Sequence, residues 1–116
     1  MNNNKTYNLE DRTFSFAKNC RFLIKKLKRN VINDEDTKQL VRSSGSVGAN
    51  YIEANEKLSD KDFKYRIRIS LKEAKESMYW LKILRDVNQD FQVDFKELIQ
   101  EANELRKIFS AILRKQ

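Results

Sequence analysis

Apolar residues recur every three to four positions along most of the 116-residue chain. This spacing is typical of amphipathic α-helices that bury one face, and short polar breaks divide it into four stretches. The pattern predicts helices at about residues 9–28, 34–58, 60–87 and 94–115. Four such helices with short connections predict an all-α fold, an up-down-up-down four-helix bundle formed by a single domain, residues 1–116.

Polar residues before the helices are candidate N-caps, whose side chains accept hydrogen bonds from the first free backbone amides. Asn8 precedes the first helix, and Ser59 with Asp62 forms a Ser-x-x-Asp box before the third. Before the second helix, Asn33 or Asp34 is the candidate. We therefore expect side-chain caps at the starts of three helices.

Small residues crowd the middle of the second helix, from Ser43 to Ala49. Glycine in a helix interior costs about 1 kcal/mol relative to alanine, so glycines here need a reason. Ser44 and Gly48 are four positions apart, as are Gly45 and Ala49, and each pair therefore shares a helix face. A face without bulk lets another backbone approach closely, and a loop is the alternative. The helical spacing nevertheless continues through the tract at Leu40, Val47, Tyr51, Ala54 and Leu58.

The third predicted helix carries three different faces. The face expected to line the core contains Phe63, Ile67, Ser70, Ala74, Ser77, Met78, Leu81 and Leu84. A second apolar strip is rotated away from it and contains Tyr65, Ile69, Trp80, Ile83 and Val87. A helix that is apolar on more than one side predicts a subunit interface, and hence a homo-oligomer. The third strip is basic and contains Lys61, Lys64, Arg68, Lys72, Lys75 and Lys82, with Tyr79 among them.

Two blocks of sequence resemble the signature of a known family. The first is Arg42–Tyr51 followed by Glu53–Asn55, and the second is Asp62–Phe63, Ile69–Glu76 and Tyr79–Leu81. Their order and spacing resemble the four-helix bundle proteins first noticed as reading frames in intervening sequences of bacterial 23S ribosomal RNA genes. That family has no established chemistry, so the resemblance bears on fold more than on activity.

The resemblance implies a homo-oligomer, with a homopentamer as the expected form. Some relatives are accessory proteins of diversity-generating retroelements, which bind nucleic acid and a reverse transcriptase. We expect Glu53 to pair with Arg42 or Lys72, or to hydrogen-bond with Asn50. The signature residues expected in helix packing or subunit contacts are Arg42, Ser44, Gly48, Asn50, Tyr51, Glu53, Glu73, Glu76 and Trp80.

The composition argues against an enzyme. The chain has no histidine, which removes the commonest general base and metal ligand, and its single cysteine, Cys20, falls on the core face of the first helix with Phe14 beside it. No plausible base accompanies the serines. The glycine spacing also lacks the strand and the Gly-Lys-Ser/Thr ending of a phosphate loop. We therefore expect no catalytic residue, no metal site and no cofactor.

The chain has 24 Lys and Arg residues against 17 Asp and Glu residues, a net charge of +7 that favours anionic partners. Nothing resembles a sequence-reading motif, so binding to RNA or DNA would follow charge and shape. Two alternatives stay open: a solvated surface, or a docking face for an acidic protein such as a reverse transcriptase. The candidate nucleic-acid contacts are Lys18, Arg21, Lys25, Lys61, Lys64, Arg68, Lys72 and Lys75.

Neither a membrane span nor a signal peptide is visible in the sequence. No apolar run approaches the roughly 20 residues of a transmembrane helix. The polar start lacks the apolar core of a signal peptide. We therefore expect a cytoplasmic protein without membrane partners.

Overall fold

The computed structural model describes residues 8–56 and 58–115. This part of the chain forms four α-helices and no β-strand, which confirms the predicted all-α class. The helices are α1 (Leu9–Lys26), α2 (Val31–Asn55), α3 (Asp60–Val87) and α4 (Gln92–Lys115). The predicted bounds agree for α3. The predictions were wrong for four other helix ends: the end of α1, both ends of α2 and the start of α4. In the structure, each of these lies a turn or less before the predicted position. Residues 1–7, the polar start of the predicted domain, lie outside the described residues.

Contacts between helix ends show that α1 runs antiparallel to both α2 and α4. Asn55 at the end of α2 donates a hydrogen bond to Glu10 at the start of α1, with Nδ2 and Oε2 2.9 Å apart. At the other end of the molecule, Lys26 pairs with Asp94 at 2.7 Å and joins the end of α1 to the start of α4. Helices α1 and α3 each pack against α2 and α4, so they occupy diagonal positions in the bundle.

The core contains the inward faces of all four helices. Burying each large apolar side chain contributes about 1.5–3 kcal/mol, so this layer supplies most of the driving force for folding. No helix in the described part of the chain is both long enough and apolar enough to span a membrane. The largest fully buried apolar side chains are Phe16, Leu23, Leu40, Val47, Ile67, Leu81, Leu84, Phe95, Leu105 and Phe109.

Two apolar residues expected at the core lie on the surface instead. Phe14 is 66% exposed because it lies two positions, or about 200° around the helix, from Phe16. Leu58 is 94% exposed because α2 ends at Asn55, so the helix does not continue to Leu58 as the apolar spacing predicted.

The seam between α1 and α4 is the loosest of the bundle and is closed by charged side chains. A groove of about 700 Å³ runs along it. Arg12 crosses the groove and donates to Glu101 at 2.7 Å and to Glu104. The hydrogen bond to Glu101 is the main cause of the raised pKa of Arg12. Polar bonds therefore hold α1 to α4 where apolar packing is thin.

Asn30, rather than Asn33 or Asp34, caps α2. Its side-chain oxygen accepts a hydrogen bond from the backbone amide of Asn33 at 2.7 Å. The side chain of Asn33 is unavailable as a cap because it is buried and exchanges hydrogen bonds with Asn88, at 3.0 Å in both directions. This amide pair ties the start of α2 to the end of α3.

The other two predicted caps have opposite outcomes. Ser59 accepts a hydrogen bond from the amide of Asp62 at 3.0 Å, which confirms the cap of α3. Asn8 makes no capping hydrogen bond, so that prediction was wrong. The backbone explains the difference, because Ser59 and Asn30 are extended while Asn8 has φ −116° and ψ 49°.

Asn30 and Asn8 offer a matched test of the α2 cap. We expect Asn30→Ala to lower the free energy of unfolding by about 1 kcal/mol, because the Asn33 amide loses its acceptor. Asn8→Ala should change it by less than about 0.5 kcal/mol, since no capping bond is lost. Urea unfolding followed by circular dichroism measures both. Equal effects would contradict the assignment of the cap.

Candidate nucleic-acid interface

Helices α1 and α2 cross closely where α2 carries its small residues. A Cβ atom on Gly48 would lie 2.7 Å from the hydroxyl oxygen of Thr13, too close for any side chain. That hydroxyl is held in place, because it donates to the backbone carbonyl of Leu9 at 2.7 Å. The tract is helical throughout, and the close approach predicted for Gly48 is confirmed.

A second contact between the same helices is made by Arg21. Its guanidinium donates to the backbone carbonyls of Ala17 at 3.0 Å and Val41 at 3.2 Å. A Cβ atom on Gly45 would lie 3.2 Å from Nη2 of this arginine. Ala49 is exposed, so the predicted packing face shared by Gly45 and Ala49 was wrong.

Helices α2 and α3 approach each other through serines. Ser70 donates from Oγ to the backbone carbonyl of Val47 at 2.8 Å. The hydroxyl oxygens of Ser77 and Ser43 lie 3.0 Å apart in the same buried layer. Each hydrogen bond contributes about 1 kcal/mol net and requires the two helix backbones to be near each other.

Arg42 joins α2 to two glutamates of α3. Its guanidinium donates to Glu76 at 2.9 Å and to the buried Glu73 at 3.3 Å. These interactions, with the hydrogen bond to Glu73 first, raise the pKa of Arg42. A buried carboxylate without its counter-charge is costly, so the cluster favours one alignment of α2 along α3.

Within the described residues of one chain, Glu53 pairs with neither Arg42 nor Lys72. Arg42 and Glu53 lie on the same helix about 16 Å apart, and Glu53 is exposed. Asn50 bonds elsewhere too: its amide nitrogen donates to the Ser46 carbonyl at 2.9 Å, and its oxygen accepts from Arg66 of α3 at 3.3 Å. Residues of the signature therefore bond across the α2–α3 contact, but not in the expected pairs.

Two aromatic residues of the signature have different surroundings. Tyr51 is half-buried, with its ring centroid 5.9 Å from that of Phe109 on α4. Trp80 is half-exposed, and its ring meets the ring of Tyr79 edge-on at 5.1 Å between centroids. Tyr51 therefore packs within one chain, whereas Trp80 lies at the surface of it.

Six of the basic residues of α3 form a single row on the side turned away from the core. We call Lys61, Lys64, Arg68, Lys72, Lys75 and Lys82 the α3 basic row. Their positions are three, four or seven apart, so they follow one face over about 30 Å of helix. Five are exposed and Lys64 is half-exposed. Among residues 8–56 and 58–115, none of the six has a hydrogen-bond or ion-pair partner.

The basic residues predicted on α1 do not join this row. Lys18 and Lys25 are exposed, but Arg21 between them is half-buried in the contact with α2. Because α1 and α3 are diagonal, their outer faces point to opposite sides of one chain. The structure therefore separates the eight predicted cations into the continuous α3 basic row and an interrupted face on α1.

Comparison with known proteins identifies the family. The sequence pattern of the 23S rRNA-intervening sequence protein matches residues 5–111. The chain belongs to this family. Its fold is similar to the crystal structure of a protein with unknown function from the S23 ribosomal protein family of Bacteroides thetaiotaomicron VPI-5482. The TM-score is 0.79 at 30% identity, over 90% of this chain and 96% of that one. No curated protein matches the sequence.

In this chain, the two signature blocks are largely the two sides of the α2–α3 contact. Sequence reasoning missed Arg106 of α4, which lies in a groove with Lys75 and Lys82 and comes near them only through the fold. Lys82 and Tyr79 lie on the predicted basic strip but are not among the predicted nucleic-acid contacts. Their spacing from Lys75 was the signal that could have included them.

The two glycines of α2 give a matched test of the helix crossing. We expect Gly48→Ala to lower the free energy of unfolding by roughly 1–2 kcal/mol, because the clash with Thr13 outweighs the gain in helix propensity. Gly45→Ala should be neutral or stabilising by up to about 1 kcal/mol, since the flexible end of Arg21 can move away. Thermal and urea unfolding measure both. A stabilising Gly48→Ala would contradict the close crossing.

Proposed function

We propose that this protein is a non-enzymatic, oligomeric helical bundle that binds nucleic acid through the α3 basic row without reading its sequence. The observation that carries the proposal is the row itself, with six cations on one face and no protein partner for any of them within residues 8–56 and 58–115. Cations placed against phosphates release condensed counterions, which gives affinity for any sequence.

The chemistry of the row supports charge-based rather than base-specific recognition. Five of the six residues are lysines, whose ammonium groups act as mobile point charges. Reading a base edge usually requires a fixed, bidentate side chain such as a positioned arginine. The single arginine, Arg68, is exposed and is not oriented by any described residue. We therefore expect contacts to the phosphate backbone.

The buried groups support a non-enzymatic role. Cys20 is buried, and burial raises the pKa of its thiol to about 12, so the thiol is protonated and unreactive at neutral pH. Buried serines such as Ser70 and Ser77 use their hydroxyls in helix packing. No group of three or more cysteine, aspartate and glutamate side chains in the described part of the chain is placed to hold a metal ion.

The apolar strip on α3 supports assembly. Tyr65 is 57% exposed and Val87 is 52% exposed, while Ile69, Trp80 and Ile83 are half-exposed. Covering this strip with other copies would bury apolar area that a lone chain leaves in water. The strip lies about a quarter turn from the α3 basic row, so a neighbour seated on it leaves the row open. We propose a homo-oligomer with five subunits as the expected number.

Assembly can be tested with one lysine substitution inside the strip and one outside it. We expect the wild-type protein to sediment with about five times the 13.9 kDa mass of the chain. Tyr65→Lys should shift the mass toward the monomer, because it places a charge in the interface. Phe14→Lys, at an exposed site on α1, should leave the mass unchanged. A monomeric wild-type protein at micromolar concentration would overturn the proposed assembly.

Nucleic-acid binding can be tested by fluorescence anisotropy across a salt series. We expect labelled RNA and DNA of scrambled sequence to bind, with log affinity falling linearly against log salt. The triple variant Arg68→Gln, Lys72→Gln and Lys75→Gln should weaken binding and lower the salt slope by about two to three.

The control variant loses the same charge elsewhere. Lys38→Gln, Lys96→Gln and Lys107→Gln remove three exposed lysines from α2 and α4. Binding should be reduced far less by this variant than by the α3 triple variant. The proposal fails if the wild-type protein binds no nucleic acid at low salt, or if both triple variants lose affinity equally. Salt-sensitive binding of an acidic protein in place of nucleic acid would favour the docking role instead.

A further inference from the structure

Tyr79 is an aromatic side chain in the middle of the α3 basic row. It is 59% exposed and lies between Lys75 and Lys82 in the same face of the helix. Phosphate binding alone does not need an aromatic ring at this position. Proteins that bind single-stranded nucleic acids combine exposed aromatic rings with cations. Bases stack on the rings, and phosphates lie against the cations.

The surface around Tyr79 is shaped into two shallow grooves that share this residue as a wall. One groove, of about 480 Å³, is lined by α3 alone and includes Leu71 between Arg68 and Lys75. The other, of about 570 Å³, lies between α3 and α4 and includes Ile99 and Arg106. Glu76 also lines the first groove, and its carboxylate is paired with Arg42 at 2.9 Å. Apolar floors with cations at their edges suit flat bases attached to a charged backbone.

Neighbouring side chains hold this surface in place. The rings of Tyr79 and Trp80 are in contact at an angle of 77° between their planes. Across the second groove, Arg106 donates from both Nε and Nη2 to Asn103, at 3.0 Å and 2.7 Å. A ring and a guanidinium that are already ordered lose less conformational entropy when a ligand binds.

We propose that the α3 basic row prefers unpaired nucleic-acid strands, with Tyr79 as the platform on which a base stacks. The inference rests on the proposed nucleic-acid binding and names its substrate class. A duplex hides the faces of its bases inside its own stack, so it can use the cations but not the ring. A single-stranded segment, of RNA or of DNA, can use both.

The test compares Tyr79 with Phe22, an aromatic residue of α1 that is 52% exposed and lies outside both the α3 basic row and the apolar strip. Anisotropy is measured with four labelled ligands of equal length: single-stranded RNA, single-stranded DNA and the two duplexes. We expect tighter binding of the single strands. Tyr79→Leu should weaken their binding by about 5- to 100-fold, while duplex binding stays within about twofold. Tyr79→Phe should retain wild-type affinity, and Phe22→Leu should have no effect.

The outcomes separate this inference from the function on which it rests. If no ligand binds, the proposed function and the inference both fail. If duplexes bind as well as single strands and Tyr79→Leu changes neither, the row binds phosphate alone and only the inference is overturned. Trp80 is the only tryptophan of the chain, so its emission gives a second readout. Titration with unlabelled single strands should change that emission in the wild-type protein and not in Tyr79→Leu. The RNA and DNA arms show whether the 2′-hydroxyl contributes.

Discussion

The contact of Gly48 with Thr13 is the constraint on which the arrangement of the helices depends. It brings α2 against α1 at a distance that only glycine permits, while serines on the adjacent face of α2 bond to α3. One helix therefore fixes two neighbours, and the alignment of α3 is completed by Arg42 and Glu73. The outward direction of the α3 basic row follows from this packing, because the opposite face of the same helix is committed to α2 and the core.

Positive charge is divided between two tasks according to residue type. Arg12, Arg21 and Arg42 have planar guanidinium groups that bond to several acceptors between helices. Lysines predominate where no acceptor is present, as along the outer face of α3. Flexible lysines at the surface therefore carry much of the exposed positive charge, whereas several of the arginines bond between helices.

Local patterns predicted the fold well. The spacing of apolar residues follows from the helical period, and the small-residue tract follows from the close contact between helices. The same patterns placed the α3 basic row, since residues of one helix face are known once the helix is known. They failed where the position of a side chain is set by a partner that is far away in the sequence. Asn33 could not be seen to pair with Asn88, nor Arg21 to turn into the α2 contact, without the bundle in three dimensions. Arg106 reaches the row from another helix for the same reason.

The charged seam between α1 and α4 has a consequence for how the molecule opens. Chain neighbours make the extensive contacts of this bundle, whereas α1 and α4 are held across a groove by Arg12 and Lys26. Partial unfolding in native conditions begins where buried apolar contacts are fewest. We therefore expect helix α1 to detach first, and its backbone amides to exchange with solvent before those in α2 and α3. The pair of helices that carries the basic row would then stay ordered while the first helix detaches and returns.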